Sequence, residues 1–261
     1  MQKGSFLTFQ TIFKPFKPFK LFMKYTHLFF DLDNTLWDFN ANSYDALYLA
    51  LQKLDLLEKI NRYDVYFTIY YKVNERLWDL YKDNKITKNV LRGLRFEESL
   101  ELNHTPMPGI GDILNEAYLT EMPKQLKLVP GARKVLDYLH HKYKMAIITN
   151  GFREVQAEKL FQTGLKKYFD KLFISEEIGA QKPHKLIFQH AVKSMNAPKK
   201  KSLMIGDSWD ADIVGAMKFG MDQVYYCPEP GKLPSDTATG PKAQKTSTTV
   251  ITHLAQLLEI L

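Results

Sequence analysis

Five short apolar runs, at 28–31, 145–149, 172–175, 203–206 and 224–227, alternate with stretches of helical periodicity near 131–142, 153–163, 184–195 and 209–219. Runs this short and this apolar read as strands buried on both faces. Their alternation with helices predicts an α/β fold, a doubly wound and mostly parallel sheet with helices on its two faces. A last short strand is expected at 250–251, and Thr252 can cap a final helix running through Leu261. Ligands of such sheets gather beyond the carboxyl ends of the strands. The polar residues that stand out, Asp31, Thr149 and Asp207, fall at those ends.

Residues 40–123 break the alternation. Helical periodicity at 43–57, 62–83, 87–101 and 110–122, with little strand signal, predicts an inserted all-helical unit. Pro106, Pro108, Pro123 and Pro130 punctuate its end. The expected organisation is a core made of 23–39 and 124–261, with the helical insert between. The stretch 228–247, rich in Pro, Gly, Ser, Thr and Lys, reads as a long surface loop.

Four groups at or near strand ends carry chemistry. Asp31 and Asp33 stand two residues apart after the first strand, so both carboxylates can leave its end toward one cleft. Asp31 can attack phosphorus and form an acyl phosphate. Asp33 can protonate a leaving alkoxide and then deprotonate water. Thr149-Asn150-Gly151 offers a hydroxyl, an amide and backbone N–H groups to phosphate oxygens. Lys182 can neutralise phosphate and hold the nucleophile's carboxylate. Asp207, in Gly206-Asp207-Ser208, can complete a site for a hard cation such as Mg²⁺, with Asp212 supporting it from the helix. Each group also has a plain structural reading: turn carboxylates, an Asn-Gly turn, a solvated lysine, an acidic helix start. Their conjunction on one sheet edge favours metal-assisted phosphoryl transfer.

The net charge of +7 first suggests nucleic acid or membrane, but its distribution does not support either partner. Lys3, Lys14, Lys17 and Lys20 precede Met23, and without residues 1–22 the net charge is +3. The segment from Phe13 to Phe22 interleaves Phe with Lys and Pro, unlike the uninterrupted apolar core of a signal peptide. We expect residues 1–22 to be a disordered or non-native extension, with Met23 as the true start; a membrane-surface arm is the other reading. No later segment has the ~20 apolar residues of a membrane span. The lone Cys227 fits a reducing compartment, hence the cytoplasm.

These motifs resemble the haloacid dehalogenase (HAD) superfamily. Asp31-Leu32-Asp33-Asn34-Thr35-Leu36 matches its first motif, Thr149 the second, Lys182 the third, and Gly206-Asp207 through Asp212 the fourth. The resemblance implies Mg²⁺ held by the Asp31 carboxylate, the Asp33 backbone carbonyl and the Asp207 carboxylate. It implies phosphate held by Thr149, the backbone after it at Asn150, and Lys182. The 114 positions from Thr35 to Thr149 leave room for a helical cap, and the 25 from Lys182 to Asp207 leave none for a second. Dehalogenases proper lack the second acid of the first motif, so Asp33 argues for phosphate chemistry. The run Thr149-Asn150-Gly151-Phe152, Gln156, Lys159-Leu160, Gly164-Leu165, Tyr168-Phe169-Asp170 and Ile174-Ser175-Glu176-Glu177-Ile178-Gly179 resembles YjjG-type pyrimidine 5′-nucleotidases. N-acylneuraminate-9-phosphatases share much of it.

The expected activity is therefore a Mg²⁺-dependent phosphomonoesterase, a 5′-nucleotidase acting on a small phosphorylated metabolite such as a nucleoside monophosphate. A phosphosugar phosphatase or mutase and an inactive binding domain are the competing readings. Trp37 is expected in the cleft. Phe39, Tyr44, Trp78, Tyr81 and Phe96 could stack on a base or simply form core. Arg153 could touch substrate or sit on a helix. His140-His141 lack a metal-ligand pattern.

Overall fold

A computed structural model describes residues 24–229 and 246–261. The expectations for residues 1–22, for Met23 and for most of the 228–247 loop lie outside them. The described residues form a six-stranded, all-parallel sheet. Its strands are β1 (His27–Phe30), β2 (Lys144–Thr149), β3 (Lys171–Ile174), β4 (Ser202–Gly206), β5 (Asp222–Tyr226) and β6 (Thr248–Ile251). Their order is β3-β2-β1-β4-β5-β6. The chain builds outward from β1 on one side, then crosses to β4 on the other. The crevice beyond the carboxyl ends of β1 and β4 is therefore the switch point where ligands bind in open α/β sheets.

Successive side chains of each strand feed opposite cores, as strand geometry requires. Leu28, Phe30, Met145, Ile147, Leu203 and Ile205 pack on one face. Phe29, Ala146, Ile148 and Met204 pack on the other, against Ile187, Phe188 and Ala216. The second face is covered by α8 (Lys185–Ser194) and α9 (Gly215–Phe219). The first is covered by α5 (Ala132–Leu139), α6 (Arg153–Gln162) and α10 (Leu257–Ile260), and α7 (Ser175–Ile178) follows β3.

The insert is helical, with α1 (Phe39–Lys53), α2 (Tyr63–Lys82), α3 (Lys88–Leu102) and α4 (Gly111–Glu121). Helix α1 starts earlier than the apolar pattern predicts, because the Asp38 carboxylate accepts from Ala41 N at 3.0 Å and caps it. Arg95 is buried at the insert's centre, where it donates to Asn74 and Asn115 and lies over the Phe96 and Tyr118 rings. Two chain crossings join insert and sheet. They pair as a short bridge between Trp37 and Leu128, reinforced by the Asn42 side chain on the Lys127 backbone.

Two helix ends differ from the sequence reading. The last helical segment is capped by His253, not Thr252, in a reciprocal box with Gln256. The predicted helix at 209–219 begins as a π-turn, Trp209–Val214, in which Ile213 N reaches back to Ser208 O. No helix among the described residues is long and apolar enough to cross a membrane.

Candidate active site

The residues predicted from four separate stretches meet at the β1–β4 switch point. Asp31 leaves the end of β1, buried, with its carboxylate facing Lys182 from the loop after α7. The Lys182 ammonium lies 2.5 Å from Asp31 Oδ1, 2.7 Å from Asp212 Oδ1 and 2.8 Å from the Ile148 carbonyl. It donates to Asp31 and to the Ile148 carbonyl, and its contact with Asp212 is an ion pair. Burial alone would lower the Lys182 pKa, but Asp212 and Asp31 outweigh it and hold the group above the usual lysine range. Asn150 fixes this lysine's loop from the other side: its Oδ1 accepts from Lys182 N at 2.8 Å and its Nδ2 donates to Lys182 O at 2.9 Å. The Asn150 side chain is thus turned to the protein, leaving its backbone for any contact with phosphate.

Asp207 and Asp212 come from the end of β4 and the π-turn. The wide turn directs Asp212 back under the strand end, where its Oδ2 accepts from Ser208 N at 3.0 Å. Gly206 is required by this approach, because a Cβ there would stand 2.2 Å from that oxygen. Thr35 donates to Asp207 Oδ1 at 2.9 Å. Carboxylate oxygens of Asp31, Asp207 and Asp212 lie within 4.8 Å of one another. Burial pushes the Asp207 carboxyl up to about 7, with Asp212 adding to the shift. Asp31 is also raised, by burial first and against the pull of Lys182. A set of oxygen donors whose negative charges oppose one another suits a hard divalent cation such as Mg²⁺.

Thr149 ends β2. Its Oγ1 accepts from Gly151 N at 3.1 Å and from Gln156 Nε2 at 2.6 Å. With both acceptor positions filled, its own proton is free to donate into the cleft. The same Gln156 nitrogen donates to Asp33 Oδ2 at 3.0 Å. A carboxylate only accepts, which fixes the amide's orientation. Lys159, one turn further along α6, donates to Asp33 Oδ1 at 2.6 Å.

A cleft of about 430 Å³ opens above these groups, lined by Asp31, Asp33 and Thr149 below, by Phe39 at the junction, and by Tyr71, Glu75 and Trp78 from the insert. A larger space of about 1100 Å³ adjoins it past Asp79 and Lys82, between α2 and the Lys182 loop. Of the aromatic candidates, Phe39 and Trp78 reach the cleft, Tyr81 the larger space, and Phe96 is core. Trp37 is not in the cleft: it is fully buried, donating to Gln125 O, with its ring beneath the Lys159 ammonium. Arg153 pairs with Glu177 on the surface. His140 sits on the remote edge, its Nδ1 on Leu136 O.

Residues 25–220 match the family of haloacid dehalogenase-like hydrolases. This chain belongs to that family. Pyrimidine 5′-nucleotidase YjjG of Escherichia coli is 37% identical over 76% of this hydrolase and 84% of its own length. Pyrimidine 5′-nucleotidase PynA of Streptococcus pneumoniae is 36% identical over 79% and 85%. The crystal structure of the HAD-hydrolase YfnB from Bacillus subtilis, bound to magnesium, superposes with a TM-score of 0.78 at 27% identity, covering 91% of this hydrolase and 99% of that chain. The hydrolase is a phosphatase of this family, and its acidic cluster is compatible with a metal ion.

Three residues at the site escaped the sequence reading of chemistry: Thr35, Gln156 and Lys159. The signal for two of them lies in α6. Its buried stripe is Val155, Gln156, Lys159 and Leu160, so a glutamine and a lysine stand in phase with the apolar positions.

Proposed function

We propose that this enzyme is a cytoplasmic, Mg²⁺-dependent phosphomonoesterase that works through a phosphorylated Asp31 and acts on nucleoside monophosphates, pyrimidine ones foremost. The α/β part, 23–39 and 124–261, supplies the phosphate chemistry, and residues 40–123 form the cap. The observation that carries the reading is the Asp31 carboxylate, buried at the central strand's end with one oxygen fixed by Lys182 and Asp33 beside it.

Asp31 attacks phosphorus as the bond to the leaving oxygen breaks, and Asp33 protonates that oxygen. Asp33 then takes a proton from water, which displaces Asp31 from the acyl phosphate. Thr149 and the Asn150 backbone donate to the phosphate, and Lys182 orients the nucleophile. Asp31, Asp207 and the Asp33 backbone carbonyl would hold Mg²⁺, with Asp212 in support; the ion would offset the negative charge of phosphate and carboxylates together. Phe39, Tyr71 and Trp78 offer ring faces to a base, and Glu75 and Asn74 offer polar groups to a sugar. The two pyrimidine nucleotidases among its relatives support this choice of leaving group.

A panel of nucleoside monophosphates and sugar phosphates, read by released phosphate, tests the substrate. Preference for pyrimidine nucleotides is expected; activity confined to sugar phosphates overturns it. Asp31→Asn is expected to fold and to lose turnover, and chelation of divalent metal to abolish it in the unmutated enzyme. Full activity in either experiment overturns the corresponding role.

A further inference from the structure

Helix α6 turns a lysine and a glutamine toward the site where its apolar stripe would accept leucine or methionine. Lys159 is 3% exposed and Gln156 fully buried. Burial lowers the Lys159 pKa, against the pull of Asp33. Its ammonium is 4.1 Å from the Trp37 ring centre and 5.7 Å from that of Phe39. Those rings favour a cation from below, but they do not choose its position against a carboxylate. Its hydrogen-bond partner does: Lys159 Nζ is 2.6 Å from Asp33 Oδ1, and Gln156 Nε2 is 3.0 Å from Asp33 Oδ2. Each oxygen of Asp33 has its own donor, and both donors stand on one rigid helix.

We propose that Lys159 and Gln156 are positioning residues that lock the Asp33 carboxyl group in the orientation from which it serves the leaving-group oxygen. The proposal rests on the reading of Asp33 as acid and base. Asp33 is partly exposed at the cleft floor, and a free aspartate there would sample several rotamers. Small misplacements of a proton donor are costly, about a hundredfold for 1 Å. Gln156 also holds Thr149 through the same nitrogen, so one amide sets the acid and the phosphate-facing hydroxyl in register. Gly151 leaves room for it, since a Cβ there would stand 2.4 Å from the amide. In the reaction the proton passes from the Asp33 carboxyl to the leaving oxygen as the phosphorus–oxygen bond breaks and the Asp31–phosphorus bond forms. In hydrolysis the Asp33 carboxylate takes a proton from water. Lys159 and Gln156 keep their protons throughout.

The test compares two leaving groups. Uridine 5′-monophosphate departs as an alkoxide that needs a proton; p-nitrophenyl phosphate departs as a stable phenolate. The ratio of kcat/KM for the two substrates isolates proton delivery from folding and from phosphate binding. Lys159→Met is expected to lower this ratio about tenfold or more, a share of the ~10²–10⁴ that general acid catalysis supplies. Lys159→Arg, which keeps a charged donor, is expected to recover part of it. Gln156→Leu provides an independent variant should Lys159→Met not fold, with a smaller loss in the same ratio. Asp33→Asn, run in parallel, separates the two ideas. If Asp33→Asn lowers the ratio and neither α6 variant does, the positioning role is overturned and the acid role stands. If Asp33→Asn leaves the ratio unchanged, the acid role fails and the proposal fails with it.

Discussion

Asp31 and Asp207 are poised to hold protons that an exposed aspartate has released, because burial and the nearby Asp212 disfavour their charge. The consequence for stability has a definite sign. Between about pH 4, where an unfolded aspartate ionises, and about 7, the value for folded Asp207, the folded protein binds a proton that the unfolded chain does not. This contribution is complete below the window and is lost as pH rises through it. Chemical denaturation in chelator is therefore expected to show the stability difference between the unmutated protein and Asp207→Asn shrinking or reversing as pH rises from 5 to 8. A difference that does not move with pH overturns the assignment. Added Mg²⁺ should stabilise more at pH 8 than at pH 5, since it competes with protons for the same oxygens. These acids were legible in the sequence because a carboxylate straight after an apolar strand has no role in the core. Lys159 was not, because a lysine within a helix reads as solvated until its phase is compared with the buried stripe. Trp37 misled for a related reason: a large aromatic next to a motif is as useful under the site as in it.

At the scale of elements, the strands were legible to within a residue or two, since buried parallel strands are short apolar runs bounded by polar ends. The π-turn after β4 was not, because helical periodicity does not record the one-residue widening that brings Asp212 beneath Gly206. Contacts between elements distant in sequence were equally silent. Lys88 and Arg92 on α3 reach across to the core. Lys88 Nζ is 2.6 Å from Glu176 Oε1 and 3.1 Å from Glu154 Oε2, and Arg92 pairs with Glu154. Both cations also lie over the Phe152 ring, which packs on Trp78 at 4.8 Å between ring centres. This network joins the insert to α6 and α7 beside the cleft. Partly exposed pairs are each worth ~0.2–1 kcal/mol and weaken in salt. Lys88→Ala/Arg92→Ala is accordingly expected to raise KM for a nucleoside monophosphate about fivefold at low ionic strength, with little change in thermal stability. The gap between variant and parent should close in high salt; a gap that persists there assigns the effect to something other than these charges.

The whole molecule divides the work between two kinds of structure. The sheet edge brings together Asp31, Thr149, Lys182 and Asp207, the groups we propose read phosphate, drawn from four stretches by the switch in strand order. The insert covers the cleft and supplies Tyr71 and Trp78 to its upper wall, beside Phe39 at the junction. Motifs record the first half because phosphate chemistry tolerates few residue types at few places. They are silent on the second, because a helical wall can be built from many sequences, and Tyr and Trp at helical spacing serve core and cleft alike. The position of Trp78 on both the cleft and the insert–core seam makes it the sharper probe of this division. If its ring stacks on a base, Trp78→Ala removes ~1–3 kcal/mol of binding, the range for base–aromatic stacking, which is about fivefold to more than a hundredfold in KM for uridine 5′-monophosphate. The same substitution should raise KM for ribose 5-phosphate, which has no base, far less. Equal losses for both substrates would mean that Trp78 only closes the seam with Phe152, and that recognition of the leaving group lies on the far side of Asp79 and Lys82, in the larger space beside the Lys182 loop.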